Sequence, residues 1–219
     1  MTPPAVPSAA DLRTALSRPL PGLAAQLVMA PSPRPGGSRT YQEAAGCSLK
    51  AGVLLLLYPK DGKVHLVFIR RPSSALHHKD QIAFPGGQFE PGEDAVRAAL
   101  REAREEVGVP PGDVETAGTL TPLYVPASNF CIFPIVGRAG AAPAFVPFAP
   151  EVAEIIEVPL ARILDPAAKR RETWTIERGP VLIPFYSYGG HRIWGATAMI
   201  LAEFLAVLAG GVAFPADPY

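Results

Sequence analysis

Three glutamates, Glu102, Glu105 and Glu106, constrain this chain more than any other residues, because all lie on one stretch that reads as a helix. Residues 94–107 carry Val96, Leu100, Ala103 and Val107 at helical spacing, which makes a core-facing stripe. Acidic Glu93 and Asp94 stand at the start, where the helix dipole favours them, and Gly108 follows as a carboxy-terminal cap. At roughly 100° per residue, offsets of three and four bring the three carboxylates together, on a face other than the apolar stripe. Like charges packed this way destabilise a helix. A divalent cation reverses the sign of that interaction, and hard oxygen ligands suit Mg²⁺ or Mn²⁺. For the helix taken alone, a solvated acidic face relieved by Arg101 and Arg104 is the plainer alternative.

The rest of the chain supplies the scaffold. Its 219 residues suit one domain, and with nearly half of them apolar the core can be sizeable. Residues 51–58 and 64–69 read as strands joined through Asp61-Gly62, a strong hairpin signal. Residues 70–80 read as a polar loop, 81–84 as a short strand and 85–92 as a Gly/Pro-rich loop. Further strands are expected at 114–124, 132–138, 155–158, 173–176 and 181–186, with helices at 11–17, 160–164 and 195–208. Residues 1–8 read as a tail and 31–37 as a loop. The organisation expected is an extension with a short helix over 1–48, one domain over 49–210 and a tail over 211–219. A mixed sheet with helices packed on it follows.

Composition narrows the partners. With 20 basic and 20 acidic residues there is no cationic excess of the kind that nucleic-acid binding uses. The apolar stretch 196–213 carries Glu203 and a Gly210-Gly211 pair, which suits a buried helix rather than a membrane span. No basic region followed by an apolar core opens the chain, so a cytoplasmic protein is expected. Cys47 and Cys131 lie in or beside apolar stretches and read as two buried thiols in a reducing compartment.

Gly87-x5-Glu93-x7-Arg101-Glu102-Ala103-Arg104-Glu105-Glu106-Val107-Gly108-Val109 matches the Nudix box at each of its seven fixed positions. A random window would do so on the order of once in 10⁸. The chain therefore resembles the Nudix hydrolases, and the resemblance implies an α/β Nudix fold, a mixed sheet sandwiched between helices. It implies that Glu102, Glu105 and Glu106 ligate the metal with the carbonyl of Gly87. It also implies that Arg101 ties Glu93 of the loop to the helix and that Glu102 is a candidate to take a proton from the attacking water. The reaction implied is metal-assisted attack of water on a pyrophosphate. A further carboxylate from a distal loop is common in such proteins, and Glu151 or Glu154 is the candidate.

Residues 67–87, Val-Phe-Ile-Arg-Arg-Pro-Ser-Ser-Ala-Leu-His-His-Lys-Asp-Gln-Ile-Ala-Phe-Pro-Gly-Gly, resemble the accessory motif of the coenzyme A pyrophosphatase branch. Leu76, His78, Gln81 and Phe84-Pro85-Gly86-Gly87 agree with it. His77 stands where that motif has its second arginine, and Asp80 where it has glycine. Residues 151–166 and 185–198 resemble the same branch, so the likeness runs over about 50–208. It implies hydrolysis of CoA or a CoA derivative to 3′,5′-ADP and (acyl-)4′-phosphopantetheine, with Arg70, Arg71, His77 and Lys79 as candidates to recognise the 3′-phosphate. Trp194 and Tyr186 are large enough to stack on adenine, although apolar packing is the plainer role for both. The alternatives are another Nudix substrate, such as ADP-ribose or NADH, and a Nudix-fold binding module without catalysis. A small nucleotide is the expected partner, with no nucleic acid and no membrane, in a monomer or a homodimer.

Overall fold

Residues 49–60 are apolar at most positions, as suits a strand covered on both faces. In the computed structural model, which describes residues 7–34, 47, 49–74, 79–126, 128–176 and 179–210, they form β1 (Leu49–Lys60), a central strand of a mixed sheet. The chain turns through Asp61 and Gly62, both at positive φ, into β2 (Lys63–Arg70), forming the expected hairpin. Beyond the shared stretch the two strands part. There β2 takes β3 (Ile82–Ala83) and β1 takes β4 (Gly86–Gln88), which delivers the glycine-rich loop into the middle of the sheet.

The strand expected at 114–124 is broken at 120–122, which includes Pro122, into β5 (Val114–Thr119) and β6 (Leu123–Val125). Both pair with β7 (Phe130–Ala139), which runs parallel to β1. On the other side β8 (Glu154–Pro159) pairs with β2.

Helices cover both faces. α1 (Ala9–Leu16) opens with a capping box in which Ser8 and Asp11 bond each other's backbone. α2 (Gly22–Leu27) has no periodicity that marked it in the sequence. α3 (Ala95–Val107) packs on the face of Leu54, Leu56, Tyr58, Val67 and Ile69. Gly108 closes it in the left-handed conformation, as the sequence indicates, while Asp94, expected as its first residue, stands just before it as the amino-terminal cap. The opposite face, with Leu55, Leu57, Leu66 and Phe68, is covered by α4 (Leu160–Ile163), α5 (Gly195–Leu208), Leu12 and Met29. The strands expected at 173–176 and 181–186 do not join the main sheet. They belong to β9 (Lys169–Ile176) and β10 (Gly179–Tyr188), which with β11 (His191–Trp194) make a separate antiparallel sheet. Tyr186 is buried in the α5-side core, and Trp194 packs edge-on against Trp174 at 4.9 Å. No helix among the described residues is long and apolar enough to cross a membrane.

Two ties hold distant segments together. Glu203 of α5 is completely buried, and its carboxylate accepts from the amides of Gly22 (3.1 Å) and Thr121 (3.2 Å) and from Gln26 Nε2 (2.8 Å). Cys47 and Cys131, expected as free thiols, are joined as a disulfide across a sequence separation of 84. The reason is the parallel β1–β7 register, which sets Lys50 opposite Cys131 and brings Cys47 within 6.0 Å, Cα to Cα. Disulfides belong to oxidising surroundings, so a reducing compartment does not follow from these cysteines.

Replacing Glu203 with Ala strands three donors, and the expected loss is about 3 kcal/mol in denaturant unfolding, with Glu203→Gln in between. A loss below about 1 kcal/mol would show that this carboxylate does not hold α2 in place. Thiol titration of the unfolded, unreduced chain should find no free thiol, and reduction should lower stability by about 2–5 kcal/mol. Two titratable thiols would remove the disulfide from the account.

Candidate active site

The site begins where β4 ends. Arg101, at the middle of α3, reaches back over the 88–93 loop with its whole guanidinium. Nε and Nη2 donate to the two oxygens of Glu93 at 2.8 and 3.0 Å, and Nη2 also donates to the carbonyl of Gln88 at 2.9 Å. Nη1 donates to Glu102 and Glu105, each at 3.0 Å. The planar fork of arginine suits this bidentate geometry. Glu93 accepts the amide of Glu90 as well, and its pKa lies below the usual carboxylate range, first through Arg101 and then through that amide. Bonding to Glu93 raises the guanidinium pKa in turn. The tie between loop and helix expected for Glu93 and Arg101 is thus present in the geometry.

The glutamates divide. Glu106 was expected away from the core, yet it is 1% exposed. The last turn of α3 sinks towards β4, where the Glu106 carboxylate accepts the Gly86 amide at 2.8 Å. Burial pushes its pKa up to about 8; Glu102 and Glu151 add repulsion, while the Gly86 amide and the charge of Arg71 oppose the rise. Glu102 is raised too, again first by burial, against the opposing effect of Arg101. Oxygens of Glu102, Glu106 and Glu151 all lie within 4.8 Å of one another. Of the two distal carboxylates, Glu151 joins this group, while Glu154 turns to Arg70. Glu105 is half-exposed and rests on Arg101 outside the group, although it shares the Nη1 donor with Glu102.

Gly87 lies directly beneath Glu102: a Cβ there would collide with the Glu102 carboxylate. Glycine at this position lets the Glu102 carboxylate rest against the strand; with a side chain there, that carboxylate would have to swing aside. Two raised carboxylates, a third beside them and a backbone pressed against one of them form an oxygen-rich pocket that is costly when empty and charged. A hard divalent cation fits this donor set, and Glu102, Glu106 and Glu151 could hold it.

The candidate substrate residues are placed differently from one another. Arg70 is engaged by Glu154 at 2.9 Å and Asp80 at 3.2 Å, and His191 lies 3.4 Å from the same Glu154. Arg71 has a buried Nε that finds no hydrogen-bond acceptor among the described residues, and its charge acts on Glu106. Lys79 is exposed beside Asp80, and His77 lies outside the described residues. The Arg70–Glu154–His191 chain was not anticipated. It depends on the antiparallel β2–β8 register that sets Arg70 opposite Glu154, a pairing 84 residues apart.

Residues 48–175 match the NUDIX domain family. The chain is 36% identical over 154 residues to an uncharacterized Nudix hydrolase, NudL, of Photorhabdus laumondii, covering 70% of this chain and 81% of that protein. It is 34% identical over 170 residues to the human mitochondrial coenzyme A diphosphatase NUDT8, covering 75% and 72% of the two chains. Among solved structures, the M. smegmatis Nudix hydrolase RenU superposes with a TM-score of 0.52 at 18% identity, over 75% of this chain and 88% of that one, a likeness of fold. The box residues gathered around α3, and relatives alike over most of the chain, place this protein in the Nudix hydrolase family of pyrophosphohydrolases.

Proposed function

We propose that this Nudix hydrolase cleaves the diphosphate of coenzyme A or a CoA ester, releasing 3′,5′-ADP and the (acyl-)4′-phosphopantetheine. The observation that carries the reaction type is the convergence of Glu102, Glu106 and Glu151 beside Gly87. The substrate class is supported by the accessory motif at 67–87 and by likeness to a coenzyme A diphosphatase over most of both chains.

When bound, Mg²⁺ or Mn²⁺ neutralises phosphate charge and makes water more acidic. The chain's own residues do the rest. Glu102, Glu106 and Glu151 would hold the cation together with the Gly87 carbonyl, and Glu105, on Arg101 beside them, would add a further carboxylate. Arg101 and Glu93 keep the loop locked on the helix, so the carboxylates are preorganised. Arg71 offers its buried Nε to a phosphate oxygen. Water adds to one phosphorus, the bridging P–O bond breaks, and Glu102 takes the proton that the water loses. With every box glutamate in place, the chain has the equipment of an enzyme rather than of a binding module.

One observation favours the second reading, a substrate such as ADP-ribose or NADH. Arg70 is already neutralised by Glu154 and Asp80, which leaves fewer cations for a 3′-phosphate.

Incubation with Mg²⁺ or Mn²⁺ and a panel of CoA, acetyl-CoA, 3′-dephospho-CoA, ADP-ribose and NADH separates the two readings. CoA cleaved well ahead of its dephospho form supports the proposal; preference for ADP-ribose or NADH overturns it in favour of the second. Glu102→Gln is expected to lower kcat/KM about 10³-fold, because several kcal/mol of charge stabilisation are lost. A near-normal rate in that variant would remove Glu102 from the mechanism.

The raised pKa of Glu106 also fixes a sign. In metal-free protein its folded pKa of about 8 exceeds the ordinary 4.5. Its contribution to stability is thus fully present below that ordinary value and is lost as pH rises through about 8. A cation bound by the ionised carboxylate counters this loss, so the rise in Tm on adding Mg²⁺ should be larger at pH 8.5 than at pH 6. A rise independent of pH would exclude Glu106 from cation binding.

A further inference from the structure

The last carbonyls of an α-helix have no partners within the helix. At the end of α3, two of them are taken by a single loop: the Val146 amide donates to the Val107 carbonyl and the Phe148 amide to the Glu106 carbonyl, both at 3.0 Å. The Phe148 carbonyl then accepts the amides of Glu151 and Val152, each at 2.9 Å, and the Ala153 amide donates to the Arg70 carbonyl at 2.9 Å. Glu151 is therefore linked to Glu106 through two backbone hydrogen bonds with one residue, Phe148, between them. The same two residues share the carboxylate cluster.

The loop is held by its backbone more than by buried side chains. Phe145 packs edge-on against Tyr58 at 5.2 Å, and Val152 is buried in the α3-side core. Between these anchors, Val146 and Phe148 are 65% and 48% exposed. The approach also depends on Gly108. Its φ is +75°, and a Cβ there would meet the Cβ of Val146 at 3.3 Å and its amide nitrogen at 3.4 Å, the nitrogen that bonds Val107. A side chain at 108 pushes directly on the first link of the loop.

We propose that the 145–153 loop is a backbone clamp that registers the Glu151 carboxylate against Glu102 and Glu106, and that Gly108 is the positioning residue that lets it close. The inference rests on the reading of these three carboxylates as the cation site. Glu151 is exposed and sits on a segment outside the helix, so its distance from the other two is set by the clamp and not by α3 itself. Gly108 touches neither cation nor substrate; it acts through Val146.

The test is Mn²⁺ binding to the full chain, read by electron paramagnetic resonance of the free ion, with thermal melts alongside. Four variants are needed: Gly108→Ala, Glu151→Gln, the two combined, and Gly62→Ala as a matched control. Gly62 has φ +68°, close to that of Gly108, and open space where its Cβ would stand. Both glycine variants should lose a few degrees of Tm through backbone strain. Only Gly108→Ala should also weaken Mn²⁺ binding, by about tenfold, as Glu151→Gln does. The double variant should bind no more weakly than Glu151→Gln alone, since Gly108 acts through that carboxylate. Wild-type affinity in Gly108→Ala, equal weakening in Gly62→Ala, or additive losses in the double variant would each overturn the clamp. If Glu151→Gln binds like the wild type, the assignment of Glu151 to the cation site fails first, and the clamp falls with it.

Discussion

Everything at the site depends on how closely α3 can lie on the sheet. At Gly52 of β1 a Cβ would run into the Ala95 carbonyl and the Ala99 amide, so helix backbone rests on strand backbone with nothing between. Gly86 is in the same position against β1 itself, and Gly87 against Glu102. Small residues on the helix, Ala98, Ala99 and Ala103, complete the contact. This close seating lowers the end of α3 until Glu106 disappears from solvent and finds the Gly86 amide. A bulkier seam would leave the same glutamates on an ordinary wet surface, with ordinary acidity and little hold on a cation.

The close fit has an electrostatic cost, and Arg101 limits it. Glu93, Glu102 and Glu105 all share its guanidinium, which ties the rim of the site together and offsets part of its negative charge. Among the described residues Glu106 has no such partner and is left to the Gly86 amide and the charge of Arg71. The site thus has two zones, a partly compensated rim and a floor with less compensation still. A cation of charge two supplies what the floor lacks. Preorganisation of this kind exchanges stability of the empty protein for a site that needs little rearrangement on loading.

Local features were legible in the sequence. Asp61-Gly62 marks its hairpin because two-residue turns demand positive φ, and Asp94 and Gly108 mark the ends of α3 because helix ends need those groups. The box glutamates stood out because their mutual repulsion calls for a reason. Features set by long-range register were not legible. The choice of Glu151 over Glu154 turns on the β2–β8 pairing, which points Glu154 at Arg70. The cysteine pair depends on a parallel alignment of β1 with β7, and the separate sheet of β9–β11 on where α5 lies. The burial of Glu106 was hidden for a different reason: the apolar stripe suggests a face, but the seam of glycines moves that face by part of a turn.

The buried carboxylate of Glu203 bears on the order of events during synthesis. Gln26 meets its acceptor 177 residues further along the chain, and Gly22 waits 181. While the ribosome is still making the middle of the protein, α2 has no anchor for its first amide, and Leu12 and Met29 have no α5 to pack against. α1 can settle on β5 as soon as that strand is made, through Arg13 and Glu115, but α2 is made early and completes its docking only among the last. Until residue 203 emerges, the face of the sheet that holds Leu55, Leu57 and Phe68 is only partly covered, and that interval is when the nascent chain is most exposed to misassociation.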